Sequence, residues 1–550
     1  MKPSNVTLWH IALLLALGAA VFLPDLGRET GLDGREARHA EIAREMAQSG
    51  EYLVPYVLGR PYIDKPPLFN ASVALMFQLT GRVDFRTARL PGALCSMAMI
   101  LAIYVLGRRW YNARTGLWAA AVWATSWIVV EWGRTARMDM MMAGLILFGI
   151  LLADVAVAGL RQRTRAALWC AASLLIAGAV LSKGPQALFF FAVAFVCFWR
   201  ARRGRWLPPW RYWISLAVIV GGVAAGWAVI TEFRYPGHLR AMMNYEYQVG
   251  VVGHLKRPWL YFDQLLIRTA PWGLFSVGAI YQLVRRWRRS GCDRTLVPFL
   301  AFAVSIIVMT FVPNKREHYL LPILPLWALF LAGFLDSAVS ERQRPLEQSG
   351  PAGAGRAIPR WAFELPLYVC LIGFAALACG GGGWWLSSKH AGKAVAAAVF
   401  GLALVGAAAG IYRAARGAKA LAVALLMLTA VILAIAATPV MKRYLISPPP
   451  EIAASARVAS AIPAGAAVGE YAINGEYLFF KLNRDVTFIQ ENDTSGLARY
   501  LEAPGPRYLL AKSARAPEIK RSAKRPLQEV GTWQLGTGAE SAVSLLLTPP

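Results

Sequence analysis

The sequence predicts a mainly α-helical, polytopic membrane protein with about 13 transmembrane helices, interfacial helices and a soluble α/β domain at its C-terminal end. Of the 550 residues, 57% are apolar and only 16% are charged, whereas about a quarter of the residues of a soluble protein are charged. The mean hydropathy is +0.44, and runs such as 143–158 and 421–437 contain almost no charge. These values exclude a disordered, collagenous or coiled-coil chain and a secreted disulfide scaffold.

A spanning helix needs about 20 mostly apolar residues. The windows that meet this requirement are 8–26, 90–107, 116–132, 139–159, 166–182, 185–199, 212–231, 264–284, 295–312, 319–336, 362–386, 394–412 and 420–441. Lys2 precedes the first window, and Pro24 and Asp25 follow it without a small-residue cleavage site. We therefore expect a retained first helix rather than a cleaved signal peptide.

The net charge of +27 indicates orientation in the membrane. Arg and Lys cluster in alternate connecting loops, near 108–114, 161–165, 200–205, 285–289, 342–360 and 413–419. This pattern predicts that these loops and the N-terminus are cytoplasmic and that the C-terminus lies on the opposite side. Because no basic face with interleaved aromatic residues lies elsewhere, we expect membrane lipids and no nucleic acid as partners.

Three regions on the predicted non-cytoplasmic side interrupt the membrane pattern. They are a first loop at 27–89, a second loop at 232–263 and a tail at 442–550, which leaves 1–441 as the membrane domain. The tail alternates short β-rich runs with helical stretches near 451–461 and 495–502, and this predicts a small soluble α/β domain. The predicted strands are 467–473, 477–482, 486–489, 508–511 and 542–547.

The first loop contains an amphipathic segment at 36–47. Its apolar positions 42, 43, 46 and 47 are typical of a helix that lies in the membrane interface. On such a helix we expect Glu41, Arg44 and Glu45 to form a solvated face. Acids are favoured at a helix N-terminus, which explains one of Asp33 and Glu36 but not the clustering of acids and arginines beside a bilayer.

Further ionisable residues lie on the same predicted side of the membrane. They are Asp64 and Lys65 on a proline-rich turn, Arg134, Arg137 and Asp139 at the start of a spanning window, Lys183 at the end of another, and Lys315 to His318 in a short loop. Snorkelling explains any one of them, but ionisable groups near membrane depth are costly and usually functional. Together they favour a site in which cations bind a phosphate headgroup and a carboxylate acts as a base or orients an acceptor.

Other site types find no support in the sequence motifs. Walker A, GxGxxG and HExxH motifs do not occur in the sequence, which disfavours nucleotide-driven transport and zinc proteolysis. A flippase for an anionic lipid, which would also place charges between helices, and a non-catalytic envelope scaffold remain open as alternatives to an enzyme.

Seven segments occur in order over residues 8–335, at 36–46, 50–55, 64–67, 85–94, 181–185, 254–259 and 313–322. Together they resemble the N-terminal half of bacterial lipid-linked glycosyltransferases of the GT-C fold, which include protein O-mannosyltransferases. Within this fold family they resemble the aminoarabinose transferases that modify lipid A. The tail adds only an α/β domain of the kind that such transferases carry on the periplasmic side.

The resemblance implies a polyprenyl-phosphate-sugar-dependent glycosyltransferase of the bacterial inner membrane. The donor it implies is undecaprenyl phosphate carrying 4-amino-4-deoxy-L-arabinose, and the acceptor is a lipid A phosphate at the periplasmic face. Such a modification of lipopolysaccharide gives resistance to polymyxin and other cationic peptides. A hexose as the sugar, and a protein or glycan hydroxyl as the acceptor, remain open.

The resemblance also implies the catalytic acids. They are Glu36 with Asp33 as its neighbour, and Asp139 near the start of a later helix. The family often has two adjacent acids, but position 35 is Arg here, so which of Glu36 and Asp33 does the work stays open.

The substrate-binding and metal-binding residues follow from the same resemblance. Lys65 matches a lysine that holds the carrier phosphate, and the further substrate-binding candidates are Arg38, Arg137, Lys183, Arg268, Lys315 and Tyr319. Asp64, where the family more often has Glu, and His254 match a pair able to hold a zinc-like divalent metal between two loops. The chemistry itself is expected to require no cofactor.

Overall fold

A computed structural model describes most of the chain, and every structural statement below concerns the residues that it describes. These are 5–28, 34–62, 64–157, 161–201, 209–251, 257, 259–290, 295–312, 315–340, 359, 361–373, 406–413, 419–444, 450–471, 473, 476–491, 493–534 and 542–549. Among the predicted site residues, Asp33 and His254 lie outside these ranges.

Helices dominate the first 444 residues, as predicted. They are α1 (Asn5–Phe22), α2 (Gly34–Ser49), α3 (Leu68–Thr80), α4 (Phe85–Trp110), α5 (Ala113–Ala124), α6 (Trp127–Trp132), α7 (Met138–Val157), α8 (Gln162–Lys183), α9 (Gln186–Ala201), α10 (Trp210–Arg234), α11 (His238–Val251), α12 (Leu260–Arg268), α13 (Phe275–Ser290), α14 (Leu296–Thr310), α15 (Leu324–Ser340), α16 (Trp361–Gly373), α17 (406–413) and α18 (Lys419–Tyr444). A 3₁₀ turn, Glu317–Leu320, precedes α15.

Four of the described helices, α4, α7, α8 and α10, are long and apolar enough to cross a membrane. Shorter apolar helices occur at α1, α3, α9, α14, α15, α16 and in α18. The mainly helical membrane architecture is therefore confirmed, whereas the number of 13 spans stays a prediction. The apolar helix α3 has no counterpart among the predicted windows, because it lies inside what the sequence presents as the first loop.

Two predicted windows are each broken into two helices. Window 116–132 is divided at Thr125 between α5 and α6, and window 264–284 is divided between α12 and α13 at a turn containing Pro271, which has no backbone N–H to continue a helix. The two breaks meet, because Trp272 Nε1 donates a hydrogen bond of 2.8 Å to Thr125 Oγ1. These breaks bring the end of α6 and the end of α12 to the same end of the bundle.

The opposite end of the bundle, where α4 ends and α5 and α8 begin, carries Arg108, Arg109 and Arg114 of the first basic loop. Arg109 donates to Asp154 at 2.8 Å and Arg114 pairs with Asp336 at 2.5 Å, so each arginine ties two helices together. The close approach of α4 to α5 depends on Gly107, since a Cβ there would lie 2.6 Å from the Cα of Gly116.

The first loop folds as α2, a two-stranded hairpin (β1, Tyr56–Val57; β2, Arg60–Pro61) and α3. The predicted helix at 36–47 is confirmed by α2, but the predicted solvated face is wrong. Glu41 and Arg44 are fully buried, and Arg44 donates two hydrogen bonds to Glu41 at 2.9 and 2.7 Å. Glu45 accepts from the backbone N–H of Leu58 and Gly59. The polar face of α2 is covered because the C-terminal domain packs on it.

The C-terminal domain is an α/β unit with one mixed sheet. Its elements are α19 (Pro450–Ala461), β3 (Ala467–Tyr471), α20 (Glu476–Leu482), β4 (Val486–Ile489), α21 (Thr494–Glu502), β5 (Arg507–Lys512), α22 (Ala516–Ser522), β6 (Gln528–Gln534) and β7 (Ala542–Thr548). The strand order is β4-β3-β5-β7-β6, with β3 parallel to β4 and β5, and with β7 antiparallel to β5 and β6.

The strand predicted at 477–482 is wrong, since this run forms helix α20. A short apolar run cannot be assigned to helix or strand by periodicity alone, and here Leu478 and Leu482 pack on the sheet while Phe480 packs on α3 and α4. The sequence prediction also missed β6, an edge strand whose residues are mostly exposed and therefore lack an apolar pattern.

Phe480 fastens the C-terminal domain to the membrane bundle. The centroid of its ring lies 4.6 Å from that of Phe85 and 6.2 Å from that of Phe77. Phe480 is 3% exposed. We expect Phe480→Ala to weaken this interface by about 3 kcal/mol, because a buried phenyl group is lost, and limited proteolysis should then release the domain faster. Val530→Ala, at a half-exposed position of the same domain, is the control, and an unchanged rate for Phe480→Ala would contradict the interface.

Candidate functional site

We call the end of the bundle at which α1 and α8 end and α4 and α7 begin the site end. There α6 gives way to the turn 133–137, which runs into α7. Gly133 lets this turn pack closely on α1 and α4, since a Cβ at this position would lie 2.6 Å from the ring of Phe22 and 2.9 Å from Ser96 Oγ. The turn thus delivers Arg137 and Asp139 to the site end.

Asp139 is the centre of a buried polar cluster. Lys183, the last residue of α8, donates to Asp139 Oδ1, and His318 Nε2 lies 3.7 Å from the same oxygen. Asp139, Lys183 and His318 are 5%, 8% and 8% exposed. Residues from α7, α8 and the turn before α15 therefore converge. Asp139 and Lys183 are 44 residues apart in the sequence, and His318 lies further along the chain than either.

Further cations surround this carboxylate. Arg137 acts electrostatically on Asp139, and Arg316 acts on its partner Lys183. Lys65, which lies on the first loop, also acts on Lys183 by charge repulsion. Lys183 Nζ lies 4.9 Å from the centroid of the Tyr319 ring. The arrangement is an excess of positive charge around one buried acid, which suits an anionic group such as a phosphate.

His318 occupies an aromatic environment within the cluster. Its ring lies 4.5 Å from the ring of Trp132 and 5.0 Å from that of Tyr319. Burial lowers the pKa of His318 to about 3, with Lys183, Arg137 and Arg316 acting in the same direction and Asp139 opposing them. The imidazole is therefore neutral at physiological pH. Arg137 lies 4.6 Å above the Trp132 ring, and burial lowers its pKa as well.

Arg268, at the end of α12, joins two acids of the site end. Its Nη1 lies 3.1 Å from Glu131 Oε2, and its Nη2 donates to Glu317 Oε1 at 2.6 Å. This bridge links α6, α12 and the turn before α15. Arg268 was predicted from the sequence as a phosphate ligand, Glu317 only as a member of the charged loop 315–318, and Glu131 not at all.

Glu36 is held in place by hydrogen bonds from Arg89 and from the backbone of Ala136. Arg89 donates to it through Nε at 2.8 Å and Nη2 at 3.1 Å, and the backbone N–H of Ala136 donates at 2.7 Å. Arg89 Nη1 donates in addition to the carbonyl oxygens of Leu26 and Arg28. Glu36 therefore ties α2 and α4 to the turn that carries Arg137 and Asp139.

His39 lies one turn after Glu36 on α2. It is buried, and its Nδ1 lies 3.0 Å from Asn70 Oδ1 on α3. Burial lowers the pKa of His39 to about 4, so this imidazole is also neutral. Sequence reasoning gave no site role to Arg89, His39 and Trp132, and it included His318 only as a member of the charged loop 315–318. The signal for the first three was their position inside the motifs or near a predicted ligand.

The remaining predicted site residues are less closely connected. Arg38 Nη1 lies 3.8 Å from Asp64 Oδ2 in a half-exposed ion pair beside the hairpin, and Lys315 is buried next to Arg316. Within the described ranges, no group of three or more His, Cys, Asp or Glu side chains is placed to hold a metal ion. Since His254 falls outside those ranges, the metal pair of Asp64 and His254 stays a prediction.

The chain is similar to a known protein family and to a solved structure. Residues 64–227 match the family described as dolichyl-phosphate-mannose-protein mannosyltransferase. The structure superposes on the crystal structure of ArnT from Cupriavidus metallidurans bound to undecaprenyl phosphate, with a TM-score of 0.72 over 98% of each chain. The sequence identity of the two chains is 15%. The chain has the fold of ArnT. The resemblance to GT-C glycosyltransferases that the motifs indicate is thereby confirmed.

Curated relatives carry the corresponding enzyme name. An undecaprenyl phosphate-alpha-4-amino-4-deoxy-L-arabinose arabinosyl transferase of Shewanella sediminis is 25% identical over 357 residues, which is 63% of this chain and 63% of that protein. Its counterpart in Aeromonas salmonicida is 25% identical over 402 residues, covering 70% of this chain and 68% of that protein. The match to the Shewanella sediminis protein thus spans less than two thirds of its length.

Proposed function

We propose that the chain is a membrane glycosyltransferase that moves 4-amino-4-deoxy-L-arabinose from undecaprenyl phosphate to a lipid A phosphate. The observation that carries this proposal is the group of cations around Asp139 at one end of a bundle with the ArnT fold. Two relatives that are 25% identical to this chain over the aligned residues are named as transferases of this sugar from this carrier. Their names support the same donor and sugar here.

The proposal places the reaction at the periplasmic face of the inner membrane. The basic loops, with Arg108, Arg109 and Arg114, lie at the end of the bundle opposite the Asp139 cluster. Cytoplasmic loops carry the excess of Lys and Arg in membrane proteins. The site end and the C-terminal domain that packs on α2 would therefore face the periplasm.

In the proposed reaction, a phosphate oxygen of the acceptor attacks the anomeric carbon of the donor sugar in a single displacement with inversion. A new carbon–oxygen bond forms to the acceptor as the bond to the carrier phosphate breaks, and undecaprenyl phosphate leaves with the additional negative charge. Lys65 and Arg316 lie close enough to Lys183 to act on it electrostatically, and these three cations would stabilise that charge. Such preorganised cations stabilise developing charge without reorganisation, and this is usually the largest catalytic contribution.

The acidic residues then have orienting roles. A lipid A phosphate monoester has a second pKa of about 6 and is ionised near neutral pH, so its attack requires no general base. Asp139 orients Lys183, and Glu36, which already accepts hydrogen bonds, positions the turn before α7. A catalytic role for Asp33 stays a prediction of the resemblance. If the acceptor is instead a hydroxyl, a base becomes necessary.

The proposed reaction needs no cofactor, because side chains of the protein supply all the cations that it uses. A divalent metal held by Asp64 and His254 would act only by joining two loops, and two protein ligands form a weak site by themselves. Elemental analysis of the purified protein, compared with an Asp64→Ala variant, tests this separate prediction.

A transfer assay in liposomes tests the function. With synthetic undecaprenyl phosphate aminoarabinose and lipid A, we expect product whose mass is increased by one pentosamine, and about a hundredfold less product with Lys65→Met, because a phosphate-binding cation is lost. Lys520→Met, which removes an exposed ion pair with Glu529 in the C-terminal domain, is the control and should leave the rate unchanged.

The same assay separates the alternatives. The family match described as mannosyltransferase favours a polyprenyl-phosphate-hexose transferase acting on protein or glycan hydroxyls as the second candidate. Product from a hexose donor and a hydroxyl acceptor, without modified lipid A, would support it. Movement of the labelled lipid between leaflets without any product would instead identify a flippase and overturn the enzyme proposal. Lipid A from cells with and without the chain provides the corresponding test in vivo.

A further inference from the structure

Two side chains approach the same oxygen of Asp139. Lys183 Nζ is in contact with Asp139 Oδ1, and His318 Nε2 lies 3.7 Å from it. In a hydrogen bond between N–H and O, the nitrogen and the oxygen are about 2.9 Å apart. The imidazole nitrogen is therefore just beyond hydrogen-bonding distance while Lys183 is paired with the carboxylate. All three residues are buried, and a partner that leaves is therefore not simply replaced by bulk water.

Binding of the donor would bring a second anion, its phosphate, near Lys183, which already pairs with Asp139. The phosphate of the donor is a monoanion, and in the proposed reaction Lys183 is one of the cations that bind it, together with Lys65 and Arg316, which act on Lys183 electrostatically. If the ammonium of Lys183, on its flexible stem, turned toward the phosphate, its contact with Asp139 would lengthen. A buried carboxylate that loses its cation is strongly destabilised, so a second cation is needed at Asp139.

We propose that His318 is that second cation: when the donor phosphate binds, His318 takes up one proton from solvent and replaces Lys183 as the partner of Asp139. This inference rests on the proposed function and concerns how the same site accommodates its anion. The charges balance, because the incoming phosphate adds one negative charge and the proton adds one positive charge. No covalent bond between heavy atoms changes, and His318 acts as a positioning residue that releases Lys183.

The surroundings of His318 allow it to become charged. The groups that face it are Arg137 and Asp139 at the start of α7, Lys183 on α8, Trp132 on α6, and Arg316 and Tyr319 on its own turn. Lys183 is one of the charges that lower the pKa of His318, and Asp139 is the group that raises it. Departure of Lys183 therefore raises this pKa. The centroid of the Trp132 ring lies 4.5 Å from that of His318, which is within the distance at which an aromatic ring attracts a cation.

The pH dependence follows from the direction of this change. In the free protein His318 is neutral above about pH 3, whereas in the complex it is protonated up to its raised pKa. Binding thus consumes one proton wherever the pH lies between the two values. The affinity for the phosphate group should increase as the pH falls, by up to about tenfold per pH unit, and should become independent of pH above the raised pKa.

Isothermal titration of the full-length chain in detergent measures this proton directly. The probe is citronellyl methyl phosphate, a phosphodiester that keeps one negative charge at mildly acidic and neutral pH, so any proton taken up binds to the protein. Titration in two buffers with different ionisation enthalpies gives the number of protons. We expect close to one proton per bound probe for the wild-type chain at mildly acidic pH, and tighter binding there than at neutral pH.

The variants H318Q and H10Q assign the proton to a residue. H318Q keeps a polar side chain beside Asp139 but cannot be protonated, so proton uptake and the pH dependence of the affinity should both disappear. H10Q, near Tyr104 and away from the site end, is the control and should keep both. If H318Q does not fold, H318N replaces it in the same comparison.

The outcomes separate this inference from the proposed function. Probe binding with the same proton uptake in wild type and H318Q, or uptake that is lost in H10Q instead, would overturn the role of His318 and leave the transferase proposal standing. A wild-type chain that does not bind the probe at any pH, and that forms no product in the liposome assay, would overturn both.

Discussion

Asp139→Asn is expected to reduce transfer by about a hundredfold or more, a loss comparable to that of removing one preorganised electrostatic group from an active site. The amide keeps the shape of the side chain but carries no charge, so Lys183 is no longer oriented and His318 has no carboxylate to pair with. Initial rates of product formation in liposomes, at saturating donor, measure this effect.

The control for this variant is Asp154→Asn at the other end of the same helix. Asp154 is also buried and accepts hydrogen bonds from Arg109 and Trp110, but it lies at the basic end, away from the site. We expect Asp154→Asn to lower the thermal stability and to keep most of the specific activity of the folded fraction. Equal activity losses in the two variants would contradict a site centred on Asp139.

Arg89→Met is expected to destabilise the protein by about 3–5 kcal/mol, because it leaves the buried carboxylate of Glu36 without its cation. Arg89 and Glu36 are 5% and 3% exposed, and Arg89 also holds the carbonyl oxygens of Leu26 and Arg28. The fraction of monodisperse protein that remains after a series of heating steps in detergent measures the loss.

Two further variants make this prediction specific. Arg86→Met removes an exposed arginine from the same turn of α4 and should change stability by no more than about 0.5 kcal/mol. The double variant Glu36→Gln with Arg89→Met should recover part of the loss, because no uncompensated charge stays buried. Additive losses in the double variant would show that the pair at Glu36 does not carry the effect.

The membrane character and most of the helices could be predicted from the sequence because they depend on local composition. A run of apolar residues long enough to span a bilayer is a property of one segment, whatever surrounds it. The breaks at Thr125 and Pro271 were missed, although Pro271 stood in the window, because the sequence does not show that the two breaks support each other through Trp272 and Thr125.

The polar face of α2 illustrates a different limit. The spacing of its apolar residues correctly predicted an amphipathic helix, but a polar face can meet water or another domain. In the structure, α20 and the loop after it cover this face, so Glu41 and Arg44 form a buried pair. Helix α20 was itself mistaken for a strand, since its short apolar run fits both structures.

The sequence by itself determined the class of protein, the positions of most helices, the basic end of the bundle and the residue types available for a phosphate site. Only the tertiary structure decided which charges meet: Glu36 with Arg89, and Asp139 with Lys183 and His318. The physical reason is that hydrophobicity acts on each segment separately, whereas the state of a buried charge depends on partners that arrive from distant segments through packing.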